Sequence, residues 1–67
     1  MTTEEYENLT FPVQVEYQSD NTPYIILSTA KKNGGLQGTV ITSKPNQNYP
    51  KGYNESHWGY VSGIILN

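Results

Sequence analysis

The chain has 67 residues, no cysteine and a formal net charge of −2, and its charged residues make up 15%, below the usual quarter or so. No disulfide framework or thiolate metal site can be built from it, and its field is too weak to argue for DNA or an anionic membrane as partner. So short a chain makes a single domain spanning 1–67 that buries only about 60% of its unfolded surface, so a second copy is the most natural source of extra stability.

The first nine residues read MTTEEYENL. Thr2 and Glu5 have capping-box spacing, and Glu4, Glu5 and Glu7 suit a helix N-terminus. One or two turns of helix would put Tyr6 and Leu9 on one side; the competing reading is a frayed tail. No basic stretch followed by an apolar one opens the chain, and its apolar runs are only a few residues long. The expectation is a cytoplasmic protein without a membrane partner. The triplets Asn8-Leu9-Thr10 and Asn54-Glu55-Ser56 match the glycosylation pattern, and without a visible leader both read as chance.

Thr10 to Gln18 alternates, with Phe11, Val13, Val15 and Tyr17 on one side and Thr10, Gln14, Glu16 and Gln18 on the other. That period predicts a half-buried strand. Pro12 cannot donate to a ladder, so it belongs at an edge or in the first residues of that strand. Ser19 to Thr22 is a turn, and Asp20 reads as a turn residue rather than an acid.

The stretch from Pro23 to Ser43 predicts a β-hairpin on which the remainder packs. Asn33-Gly34 is the dipeptide favoured in a two-residue type I′ turn. That turn sets Lys32 against Gly35, Lys31 against Leu36, Leu27 against Val40 and Ile26 against Ile41. Ile25, Leu27, Leu36 and Val40 would then share one face, and Tyr24, Ile26, Ala30 and Ile41 the other. Both faces are partly apolar, so each wants a cover. Lys31 and Lys32 beside Gly34-Gly35 form a candidate anion site, although turn chemistry already accounts for the glycines and the spacing is not that of a P-loop.

Residues 44–56, KPNQNYPKGYNES, predict a long loop, a kind that is usually functional or disordered. HWGYVSGIIL, 57–66, predicts a last strand. Trp58, Tyr60, Ile64 and Leu66 would lie on one face and Val61 and Ile65 on the other. Gly59 and Gly63 would mark a bulge, bend or close approach. The fold expected is all-β: a four-stranded antiparallel meander with a short N-terminal helix, either curled into a small SH3-like barrel or stacked face to face as a homodimer.

No motif carries a known chemistry. Ser56 and His57 are adjacent, with Glu55 before them, but neighbours on a strand point to opposite faces, so a triad is poor geometry and no catalytic residue is assigned. With His57 the sole histidine, no His-rich metal site is expected, and no cofactor is implied. The unusual feature is the six tyrosines, large amphipathic side chains favoured at interfaces. Tyr49, Lys51, Tyr53, His57 and Trp58 are the candidate partner-binding residues, with Trp58 and Tyr60 also read as core. The first expectation is a non-enzymatic module that binds another protein, as small accessory or inhibitor proteins of phage type do. The alternative is a binder of a nucleotide or short oligonucleotide, with aromatics on the bases and Lys31, Lys32, Lys44 and Lys51 near phosphates.

Overall fold

A computed structural model describes residues 1–19, 21–42 and 48–66. The chain forms α1 (Thr3–Glu7), β1 (Val13–Ser19), β2 (Thr22–Lys32), β3 (Gly35–Val40), β4 (Asn54–Trp58) and β5 (Ile64–Ile65). The strands make one antiparallel five-stranded sheet in the order β4-β3-β2-β1-β5. The all-β expectation holds, with five strands in place of four. The expected last strand is two: β4 ends at Trp58, a turn follows, and β5 returns beside β1. β4 also begins at Asn54, inside the expected loop. Lys44 and Asp20, both assigned roles above, lie outside the described residues.

The turn chemistry acts locally as expected. Asn33 at φ 52° and Gly34 at φ 75° join β2 to β3, and Lys32 pairs with Gly35 and Lys31 with Leu36. These are the left-handed conformations a type I′ turn demands, which Asn and Gly adopt at least cost. Ser19 pairs with Thr22 across the β1–β2 turn, where Asn21 has φ 61°. At the N-terminus the capping box is complete: the Thr2 hydroxyl accepts from the Glu5 amide at 3.1 Å, and the Glu5 carboxylate accepts from the Thr2 amide at 2.8 Å.

One expectation fails a few residues from that hairpin turn. A β-bulge between Ser28 and Ala30 offsets the two strands by one residue, so Leu27 pairs with Thr39 and Ile26 with Val40. Because side chains alternate, an offset of one exchanges the faces. Tyr24, Ile26, Leu36 and Val40 are therefore all buried together, while Ile25, Leu27 and Ile41 lie on the opposite face. The bulge also buries Ser28, whose hydroxyl donates to the Gln37 carbonyl at 2.9 Å. That bond removes the penalty of an unpaired polar group inside.

The buried face holds Val13, Val15, Tyr17, Tyr24, Ile26, Leu36, Val40 and Trp58. It is strongly curled. β4 and β1 are separated by β3 and β2, which in a flat sheet would be about 14 Å. Yet the Trp58 and Tyr17 rings lie 5.5 Å apart, and the Tyr17 hydroxyl donates to the Gly59 carbonyl at 2.7 Å. The sheet thus rolls toward a barrel without closing, since among the described residues no ladder joins β4 to β5. Gly63 allows part of this roll: a Cβ there would stand 2.6 Å from a Val15 methyl carbon and 3.0 Å from the Tyr17 ring.

The outer face keeps a row of apolar groups. Glu16 pairs with Ile25 on one side and Ile64 on the other, and Ile41 hydrogen-bonds back to the Ile25 carbonyl at 2.8 Å. Ile41, Ile64 and Leu66 are exposed, so Ile64 and Leu66 do not share the buried face with Trp58 as expected. Among the described residues no helix is long and apolar enough to cross a membrane.

Candidate functional site: a tyrosine-lined cleft

The rolled sheet has two ends. At the end carrying the β2–β3 turn, α1 sets Tyr6 against the core, and Leu9, just past the helix, packs there too, so the two share a side as the helix reading placed them. Tyr6 stacks on Tyr60 at 4.3 Å and donates to the Gly35 carbonyl at 2.7 Å. Lys31 donates to the Glu7 carbonyl at 3.0 Å and holds its ammonium 5.0 Å from the Tyr6 ring centre. The N-terminal ammonium of Met1 donates to the carbonyls of Tyr60, Val61 and Gly63, which fastens the start of the chain to the turn before β5.

The other end, beside the β1–β2 turn and the loop entering β4, has no helix over it. There an open cleft of about 310 Å³ is lined by Tyr17, Gln18, Ser19, Tyr24, Tyr49, Glu55, Trp58, Gly59 and Ser62. The floor follows from the ladder. Tyr17 and Tyr24 are direct cross-strand partners, stacked at 5.9 Å, and both are buried. Trp58 reaches over from β4, its indole N–H donating to the Gly38 carbonyl at 3.1 Å. Tyr49 closes over this floor, 4.8 Å from Tyr24 and 5.4 Å from Trp58. Tyr53 stands edge-on to Tyr49 at 5.5 Å and to Trp58 at 6.0 Å. Its loop is shaped by a turn in which the Tyr53 amide donates to the Pro50 carbonyl at 2.9 Å. Asn48 ties the loop to the end of β1 by donating to the Ser19 hydroxyl at 3.1 Å.

Ring faces are largely spent on one another. Trp58 and Tyr24 are each 4% exposed. What the cleft presents is therefore mainly oxygen: phenol hydroxyls, the Ser19 and Ser62 residues, and the Glu55 carboxylate. The Tyr53 hydroxyl donates to a Glu55 oxygen at 2.8 Å, which holds the carboxylate in place and raises the Tyr53 pKa. Burial pushes the phenols of Tyr17 and Tyr24 up to about 12, and for Tyr24 the neighbouring Tyr49, Tyr17 and Glu55 add to the rise.

The structure brings Tyr49, Tyr53 and Trp58 together, as the sequence reading grouped them, with Trp58 as buried floor rather than exposed surface. Lys51 is exposed in the turn before Tyr53 and does not line the cleft. His57 is exposed and is not among the residues that line the cleft. Lys31 and Lys32 belong to the far, helix-covered end, and Lys31 is engaged there. Tyr17, Tyr24 and Glu55 were not among the sequence candidates. The pairing of Ser19 with Thr22 carried the signal, because a two-residue turn there sets Tyr17 opposite Tyr24.

No family model, curated protein or solved structure matches this chain.

Proposed function

We propose that this chain is a non-enzymatic protein-binding module that grips its partner at the open, tyrosine-lined end. The observation that carries this is the contrast in exposure within one aromatic cluster. Trp58, Tyr24 and Tyr17 form a rigid buried floor, while Tyr53 and the half-buried Tyr49 stand at the rim on a loop. Rigid aromatics with a polar tip lose little entropy on contact and are favoured in paratope-like surfaces. An accessory or inhibitor role fits a module of this size. The non-enzymatic reading is supported by Glu55 being held by Tyr53 and by His57 standing outside the cleft that Glu55 lines.

Binding of a nucleotide or short oligonucleotide is the weaker reading. Stacking needs a free ring face, and the floor rings cover one another. The lysines are also divided: Lys31 and Lys32 flank the start of β3, whereas the loop holding Lys51 joins its far end, where the Gly52 amide donates to the Val40 carbonyl at 2.8 Å. A second copy of the chain would have to cover the outer row of Ile25, Ile41 and Ile64. Sedimentation velocity reads that directly, as a dimer that dissociates in Ile64→Glu.

The test is affinity capture with the intact chain, followed by binding of the purified captured protein. Tyr53→Ala and Tyr49→Ala are each expected to weaken that binding at least about tenfold, as truncated aromatic anchors do. Unchanged binding by both variants would sink the proposal.

A further inference from the structure

We infer that the group entering the cleft is cationic: the guanidinium or ammonium of a partner protein's arginine or lysine side chain, seated against the Glu55 carboxylate. The inference rests on the module reading and names the chemistry of what the module takes.

The lining makes the choice. Phenol oxygens and the Ser19 and Ser62 residues line the cleft together with the Glu55 carboxylate, and no lysine or arginine is among the described lining residues. A site rich in acceptors and carrying one negative charge selects a ligand with many N–H donors and a positive charge. Arginine matches best, because its planar fork offers five donors that suit a carboxylate and neighbouring oxygens. A sugar or a base would need an open ring face, which Trp58 and Tyr24 do not offer at 4% exposure each. A carboxylate or phosphate would meet Glu55 directly. The carboxylate is also positioned in advance, since the Tyr53 hydroxyl holds one of its oxygens at 2.8 Å. The same molecule shows the pairing at its other end, where Lys31 lies over Tyr6 with its ammonium on a carbonyl.

The experiment is a titration of the intact ¹⁵N-labelled chain followed at the Trp58 indole and the Gly59 and Ser62 amides. The probes are Nα-acetyl-arginine N-methylamide, its neutral isostere Nα-acetyl-citrulline N-methylamide, methyl β-glucoside and adenosine monophosphate. The arginine probe is expected to move these signals saturably in the millimolar range, with citrulline at least about fivefold weaker, as befits one partly exposed ion pair. Glu55→Gln should remove that preference, and raising salt should weaken the arginine probe alone. The salt series needs no variant, so it decides the matter even if Glu55→Gln disturbs the fold. Equal binding of citrulline, preference for the glucoside or the nucleotide, or no saturable shift with the arginine probe would each overturn the inference. The two proposals fail separately. If Tyr53→Ala abolishes capture of the partner while Glu55→Gln leaves it intact, the module stands and its cationic ligand does not.

Discussion

The two ends of the rolled sheet use the same residue type to opposite effect. At one, Tyr6 of α1 stacks on Tyr60, and a lysine of the chain itself lies over the Tyr6 ring. At the other, Tyr17, Tyr24, Tyr49 and Tyr53 gather round Trp58 and Glu55, and the opening is left as a cleft. Tyrosine is thus a structural residue where the chain itself supplies the stacking partner and the cation, and under the proposed function a contact residue where it does not. What separates them is the presence of a capped helix, not the chemistry of the ring.

Variants can break or sharpen that contrast. The largest effect is expected at the floor the open end shares with the core. Trp58→Ala should cost about 3–5 kcal/mol, which against a total of roughly 3–10 kcal/mol for so short a chain removes cooperative unfolding in urea. A mild effect would mean that Trp58 is a surface residue after all. Next, Tyr6→Ala should cost about 2–3 kcal/mol, because a packed ring and a hydrogen bond to the Gly35 carbonyl go together. Tyr53→Ala should stay within about 0.5 kcal/mol. Equal costs in parallel denaturation curves would erase the distinction between the two ends.

A smaller loss, about 1 kcal/mol, is expected for Thr2→Ala, which removes the cap of the covering helix. Amide exchange near Gly35 and Lys31 should speed up while that near Ser62 does not. The finest test is alkaline pH. Burial keeps Tyr17 and Tyr24 protonated up to about 12 in the folded chain, whereas the unfolded phenols titrate near about 10. The folded state therefore holds protons that the unfolded state has released between those values. Stability should be intact below about pH 10 and fall as pH rises toward about 12. Phenolate absorbance should show Tyr17 and Tyr24 titrating only as the fold opens. Ordinary titration of every tyrosine in the folded chain would remove the buried floor.

Much of the local structure was legible. The capping box, the Asn33-Gly34 turn and the alternation of Val13, Val15 and Tyr17 each depend on residues within a few positions, so local chemistry is enough. The faces of β2 and β3 were not. Nothing about Thr29 by itself announces a bulge, and the pairing continued from Lys32 and Gly35 put Leu36 and Val40 with Ile25 rather than Ile26. The cleft was half visible for the same reason. Tyr49, Tyr53 and Trp58 are near one another in the chain, whereas Tyr17 and Tyr24 reach them only across a curled sheet.

Sequence by itself determined where this chain turns, where its helix starts and that its strands carry grease on both sides, because those depend on the conformational preferences of single residues and their neighbours. Tertiary structure alone decided which side goes in. Burying Ile26, Val40, Leu36 and Trp58 together outweighs the regularity of the ladder, so the sheet accepts one extra residue at the bulge and every side chain beyond it changes face. The same packing chose which tyrosines are buried and which stand at the rim.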